Sequence, residues 1–106
     1  MPKKYRLSGE EIRHLSGKRS HGRLFSLLTA PIAGDHAKCA IVVSKKAAAR
    51  AVDRNKIKRR SRNVLAKHMA EVKKPVALVL YAKRDALKAE PSDVNSDIAG
   101  LLARVQ

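Results

Sequence analysis

The chain predicts a single α+β domain, and three observations carry that prediction. Stretches of strand character stand at 23–29, 38–43 and 76–82. Apolar residues recur at helical spacing through 57–72 and again through 94–105. The length of 106 residues and a hydrophobic fraction of 44% are enough for one modest core without disulfide or metal support. Aromatic residues make up only 3% of the chain, so Leu, Ile, Val and Ala must supply most of that core.

The elements follow in order. Ser8-Gly9-Glu10-Glu11 fits a capping box, with Ser8 at the N-cap and Glu11 three positions later; Leu7 and Ile12 take the hydrophobic-staple positions. A short helix over 9–16 is expected, with Ile12 and Leu15 on one face. Residues 17–22 read as a basic loop. The strands at 23–29 and 38–43 are joined by a segment containing Pro31, Gly34 and Asp35, which predicts a hairpin with a long loop. Ile57, Ser61, Val64, Leu65, His68 and Val72 form the inner stripe of a helix. Asp53 is its expected N-cap, although the Ala-rich piece 47–51 leaves the start open. The continuous apolar run at 76–82 after Pro75 predicts a buried strand. Ser92, after Pro91, offers a cap for the last helix, whose core stripe is Val94, Ile98, Leu101, Leu102 and Val105.

Charge decides the partner class. The net charge is +15, which favours a polyanion: nucleic acid first, an anionic membrane surface second. No apolar run approaches the ~18 residues of a membrane span, and no apolar stretch follows the basic N-terminus to make a signal peptide. Cys39 is the only cysteine, which excludes an internal disulfide and favours a cytoplasmic setting. The charge is uneven: residues 3–23 hold seven basic and two acidic groups, whereas residues 84–106 hold three and four. Residues 45–62 are the densest stretch, with nine Lys or Arg and one acid. On a helix with Ile57, Val64 and Leu65 turned inward, Lys58, Arg59, Arg62 and Asn55 turn outward. Guanidinium groups offer phosphates a bidentate fork, and Asn55 adds a neutral donor and acceptor. Nucleic-acid contact explains such a run better than a merely solvated face, because acids do not intersperse it.

Val43-Ser44-Lys45-Lys46, then Ala51-Val52-Asp53-Arg54-Asn55-Lys56-Ile57-Lys58-Arg59, then Arg62, closely resemble the signature of the bacterial ribonuclease P protein component. In that family a strand ending in Ser-Lys-Lys leads to a helix bearing Arg-Asn-Arg-Ile-Lys-Arg and a further Arg. Lys56 replaces the middle Arg and keeps its charge. The order of elements agrees over nearly the whole chain, and Arg6-Leu7 before the first helix also fits.

The resemblance implies an α/β sandwich around a central, mostly antiparallel sheet, with the basic helix in a left-handed β-α-β crossover, as in the second domain of ribosomal protein S5. Physics alone favours the right-handed connection. It also implies an accessory subunit of an endoribonuclease whose active site lies in a large RNA. That RNA uses magnesium ions to remove the 5′ leader from precursor tRNA, and the protein itself binds no cofactor. RNA contacts carry over to Lys45, Lys46, Arg54, Asn55, Lys56, Lys58, Arg59 and Arg62, with Arg50 and Arg60 as basic neighbours. One protein per RNA is implied, in the cytoplasm. A leader cleft between the first helix and the sheet maps to Ile12, Ser16, Phe25 and Leu28, where Ile12, Ser16 and Leu28 replace aromatic residues usual in the family.

The remaining reactive residues read as structural. His14, His21, His36 and His68 form no metal-ligand spacing with a carboxylate or with Cys39. His68 on the helix stripe reads as a half-buried, satisfied histidine. Cys39 reads as a small core residue, as do Phe25 and Tyr81 as larger ones. No nucleophile triad or phosphate loop appears. A ribosomal RNA-binding structural protein is the alternative of another class, and a DNA-binding regulator is a weaker third.

Overall fold

Pro75 and the apolar run behind it become the axis of the molecule. The computed structural model describes residues 3–105. In it Val76–Ala82 is the strand around which the sheet is built. We number the strands β1 (Lys18–His21), β2 (Phe25–Pro31), β3 (Lys38–Val42) and β4 (Val76–Ala82), and the helices α1 (Gly9–Arg13), α2 (Ala51–His68) and α3 (Pro91–Ala103). The strand order is β1-β2-β4-β3. β2 pairs antiparallel with both β1 and β4, while β3 and β4 run parallel and are connected through α2.

Strand alternation divides the sheet into two faces. Phe25, Leu27, Cys39, Leu78 and Leu80 point to one face, where they meet Ile57 and Leu65 of α2 and Ile98 and Leu101 of α3. Leu28, Ala77 and Val79 point to the other, joined by Leu7 and the half-buried Ile12, Leu15, Val42 and Tyr81. The first face is thickly covered by two helices. The second carries only the one-turn α1: Ala77 and Val79 are buried beneath it, while Ile12, Leu15, Val42 and Tyr81 stay partly exposed and make this the more open face.

The capping box forms as expected: Glu11 N–H donates to Ser8 Oγ at 3.1 Å, and Ser8 N–H donates to Glu11 Oε1 at 2.9 Å. The hydrogen bond from the Ser8 backbone holds the Glu11 carboxyl below its ordinary range, assisted by Lys38. The helix behind it is shorter than its periodicity predicts. It ends at Arg13, leaving Leu15 and Ser16 in the connection to β1.

Other corrections concern pairing and caps. Residues 18–21 are not loop but the edge strand β1. The expected hairpin does not form, because β4 inserts between β2 and β3. Arg50, not Asp53, occupies the N-cap of α2, and Asp53 lies in its first turn. Glu90 precedes α3 as N-cap, with Pro91 at the first helical position, where its missing N–H costs nothing. Ser92 therefore lies inside the helix. The inner stripes are otherwise as read: Ile57, Ser61, Val64 and Leu65 are buried on α2, and Val94, Ile98, Leu101 and Leu102 on α3. Cys39 is a core residue at 3% exposure. His68 is half-buried and pairs with Glu71 at 3.6 Å.

Candidate nucleic-acid interface

Between β3 and α2 the chain makes a tight basic turn. Ser44 Oγ accepts from Ala47 N–H at 3.2 Å, and the turn exposes Lys45 and Lys46 while burying Ala47 and Ala48. From the segment that follows β4, the parallel neighbour of β3, Arg84 Nε donates to the Lys46 carbonyl at 3.0 Å and fixes the turn. α2 then leaves with its buried stripe against the sheet. Asn55, Lys56, Arg59 and Arg62 are exposed along it, Lys58 and Arg60 flank the stripe, and Arg50 is exposed at its start. Arg54 is the exception on this helix. Its guanidinium Nη1 donates to the Ala48 and Ala49 carbonyls at 3.0 and 2.8 Å, so the side chain braces the turn behind it.

The ion pairs among the described residues join Arg23 to Asp93, His36 to Asp35, Lys38 to Glu11 and His68 to Glu71. None draws a cation from the 45–62 run. Those charges therefore stand without carboxylate partners along the turn and the outer side of α2, an arrangement that attracts a phosphate backbone.

The residues assigned to a leader cleft do not stay together. Ile12 and Leu28 share the open face of the sheet, whereas Phe25 has 0% exposure on the opposite, helix-covered face. Phe25 and Leu28 are three apart in one strand, and a period of two sends them to opposite sides. Ser16 is exposed beyond the end of α1. In place of Phe25, the open face carries Tyr81, half-buried next to Val79. The guanidinium of Arg19 lies 4.6 Å from its ring centroid. His21 Nδ1 lies 3.0 Å from Ser26 Oγ on the same face. Sequence reading missed Arg19 and His21 because it assigned them to a loop, and it read Tyr81 as core. A cation stacked on an aromatic ring over an apolar floor is suited to unpaired bases and their phosphates. Among the described residues no group of His, Cys, Asp and Glu could hold a metal ion. No helix among them is long and apolar enough to cross a membrane.

Comparison with known proteins agrees with this geometry. The family model described as Ribonuclease P matches residues 1–106. The chain belongs to the ribonuclease P protein family. Among solved structures it is similar to a mutant Staphylococcus aureus RNase P protein with defective mRNA degradation activity. The two are 25% identical at a TM-score of 0.87, over 97% of this chain and 89% of that one. It is also similar to the Staphylococcus aureus RNase P protein at 24% identity and TM-score 0.85, covering 96% of this chain and 95% of that one. For the Thermotoga maritima RNase P protein the identity is 22% and the TM-score 0.81, with 95% and 97% covered. No curated protein matches. Family membership makes the chain a protein subunit of the ribonuclease P complex, which processes tRNA, in association with the RNase P RNA. The ribosomal and DNA-binding alternatives fall away with it.

Proposed function

We propose that the chain docks on the RNase P RNA through the turn at Lys45–Lys46 and the outer face of α2, and that the open sheet face receives the 5′ leader of precursor tRNA. The observation that carries this reading is the cationic run of 45–62, exposed and without carboxylate partners. Lys45, Lys46, Arg50, Lys56, Lys58, Arg59, Arg60 and Arg62 screen phosphates, and Asn55 reaches sugar or base edges. Arg54 stabilises the turn and offers its remaining donors. The active site and its magnesium ions belong to the RNA. The protein lowers the magnesium needed by neutralising repulsion between RNA segments and between RNA and substrate. One protein serves one RNA, in the cytoplasm.

Reconstitution tests the reading. Mixing the protein with the RNase P RNA of its own organism is expected to stimulate leader removal at low magnesium. No stimulation over RNA alone overturns the docking role, and cleavage by the protein without RNA overturns the assignment of the active site.

The leader platform has its own test. Stacking on an aromatic ring is worth about 1–3 kcal/mol per base. Tyr81→Ala removes that ring and leaves Arg19 without its support. Affinity of the reconstituted enzyme for a precursor with a long leader should fall about tenfold or more, while affinity for a leaderless tRNA stays unchanged. An equal loss for both substrates would place the leader elsewhere.

A further inference from the structure

A second cationic site lies at the β1 edge of the sheet, on the helix-covered side. A cleft of about 450 Å³ opens there, within the range of about 300–1,000 Å³ usual for ligand sites. Lys18, Lys74 and Arg104 line it, and no carboxylate does. The three cations come from distant parts of the chain: Lys18 from β1, Lys74 from the connection between α2 and β4, and Arg104 from the C-cap of α3. None of them takes part in an ion pair among the described residues, and Glu71, three residues before Lys74, pairs with His68. Arg104 Nη1 donates to the His21 carbonyl at 3.3 Å, which holds the end of α3 against β1 and uses one of the five guanidinium donors. Thr29, Val76 and Val105 form a half-buried floor, and Ser20 adds a second hydroxyl beside that of Thr29. This combination suits a nucleotide: phosphate against the cations, base against Val76 and Val105, hydroxyls toward sugar or base edges. A base must be unpaired to reach such a floor, so the ligand is single-stranded.

β1 connects this cleft to the opposite face. Lys18 pairs with Thr29 and Arg19 with Leu28, so the period of two sends Lys18 and Ser20 to the cleft and Arg19 and His21 to the open face. β1 is an edge strand, and only its width separates the cleft from the face where Arg19 lies over Tyr81. The turn at Lys45–Lys46 is remote by comparison. It follows the end of β3, whereas the cleft borders the start of β4, the parallel neighbour of β3, so the two lie at opposite ends of the sheet. We infer that a long 5′ leader, after crossing the platform of Tyr81 and Arg19, turns round the free edge of β1 and seats its next unpaired nucleotides in this cleft, with their phosphates on Lys18, Lys74 and Arg104.

This inference rests on the proposed leader platform, and its test separates the two. Affinity of the reconstituted enzyme is measured against salt concentration for precursors with no leader, with a leader of about 4 nucleotides and with one of about 16, the ends of the range of single-strand sites. The variants are the pair Lys18→Ala and Lys74→Ala, the same pair with Arg104→Ala, and Tyr81→Ala, with thermal unfolding to verify the fold. The lysine pair keeps the test independent of the bond from Arg104 to His21. Each phosphate contact on a single strand contributes about 0.7 to the slope of log affinity against log salt. The lysine pair should therefore weaken binding of the long-leader precursor roughly tenfold at about 0.15 M salt and lower the slope by about 1.4, and adding Arg104→Ala should bring the slope loss to about 2. The short-leader and leaderless precursors should bind these variants as they bind the parent, whereas Tyr81→Ala should weaken both leader-bearing precursors. Unchanged long-leader affinity in the lysine pair and the triple variant, beside a weakened Tyr81→Ala, would overturn the cleft and leave the platform intact. A loss shared by all three precursors, or seen with the RNase P RNA alone, would assign these cations to other RNA and overturn the inference. A long-leader loss in the lysine pair beside an unaffected Tyr81→Ala would overturn the platform and the path round β1.

Discussion

Replacing Asp97 with alanine is expected to destabilise the fold by about 3 kcal/mol. The Asp97 carboxylate accepts three backbone N–H groups at the start of β2: Arg23 at 2.9 Å on one oxygen, and Leu24 and Phe25 at 3.1 and 2.9 Å on the other. Leu24 and Phe25 are buried, so their N–H groups have no ready access to water once the carboxylate is gone. An unpaired buried donor costs about 1–3 kcal/mol, and hydrogen bonds to a charged acceptor are the stronger kind. The contact also ties α3 to the β1–β2 turn across more than seventy residues of sequence. In a domain of this size the loss should lower the melting temperature by roughly 10 °C or more. Asp97→Asn keeps one accepting oxygen but turns an NH2 toward the remaining donor, and should recover only part of the loss. A second variant reaches the same contact from the other side. A Cβ on Gly22 would lie 2.6 Å from the Asp97 carboxylate, so Gly22→Ala must displace it. Thermal and urea unfolding of the three variants provide the measurement. An Asp97→Ala protein as stable as the parent would mean that these N–H groups find other partners.

That contact was invisible in the sequence, and the reason is general to what failed there. Local rules held for the capping box and the helical stripes, although not for the N-caps expected at Asp53 and Ser92. Ser8 and Glu11 close the capping box because they sit three apart on a forming turn, and the stripe from Ile57 to Leu65 is buried because helical spacing alone puts it on one side. Whatever depended on long-range pairing was hidden. β1, with the sequence Lys-Arg-Ser-His, has no apolar alternation, because it is an edge strand held by backbone pairing to β2 and mostly open to water. The hairpin expected between β2 and β3 was the shortest connection, yet β4 arrives after α2 and takes the place between them. Its run of Ala77 to Leu80 is buried on both sides, which only a central strand satisfies. Strand period alone forbids Phe25 and Leu28 from sharing a cleft, because residues three apart in a strand face opposite sides. Tyr81 pairs with Ser26, next to Leu28, and so inherits the open face. The basic face of α2 was legible because it needs no partner within the chain. A helix with one apolar stripe must present its other side to something, and the nine cations and one acid of residues 45–62 favour a polyanion there.

Lys46→Ala, Lys56→Ala and Arg59→Ala combined should weaken RNase P RNA binding by roughly a hundredfold at 0.15 M salt. The arithmetic follows from counterion release. Each phosphate neutralised contributes about 0.9 to the slope of log affinity against log salt, so losing three lowers the slope by nearly three. At 1 M salt the same relation leaves parent and variant nearly alike, and at 0.05 M the gap widens to roughly three orders of magnitude. All three side chains are exposed, and none of them makes a hydrogen bond or ion pair that supports the fold; the contact to Arg84 at this turn uses the Lys46 carbonyl, which alanine retains. The variant should therefore unfold at the temperature of the parent, and the salt dependence separates lost phosphate contacts from lost structure. Catalysis should follow binding and nothing else. The proposal that the active site lies in the RNA predicts that raising the variant's concentration until the RNA is saturated restores the single-turnover cleavage rate of the parent complex. A cleavage rate that stays depressed at saturation would mean that one of these side chains acts on the reacting complex directly. An unchanged salt slope would mean that the RNA docks on another face.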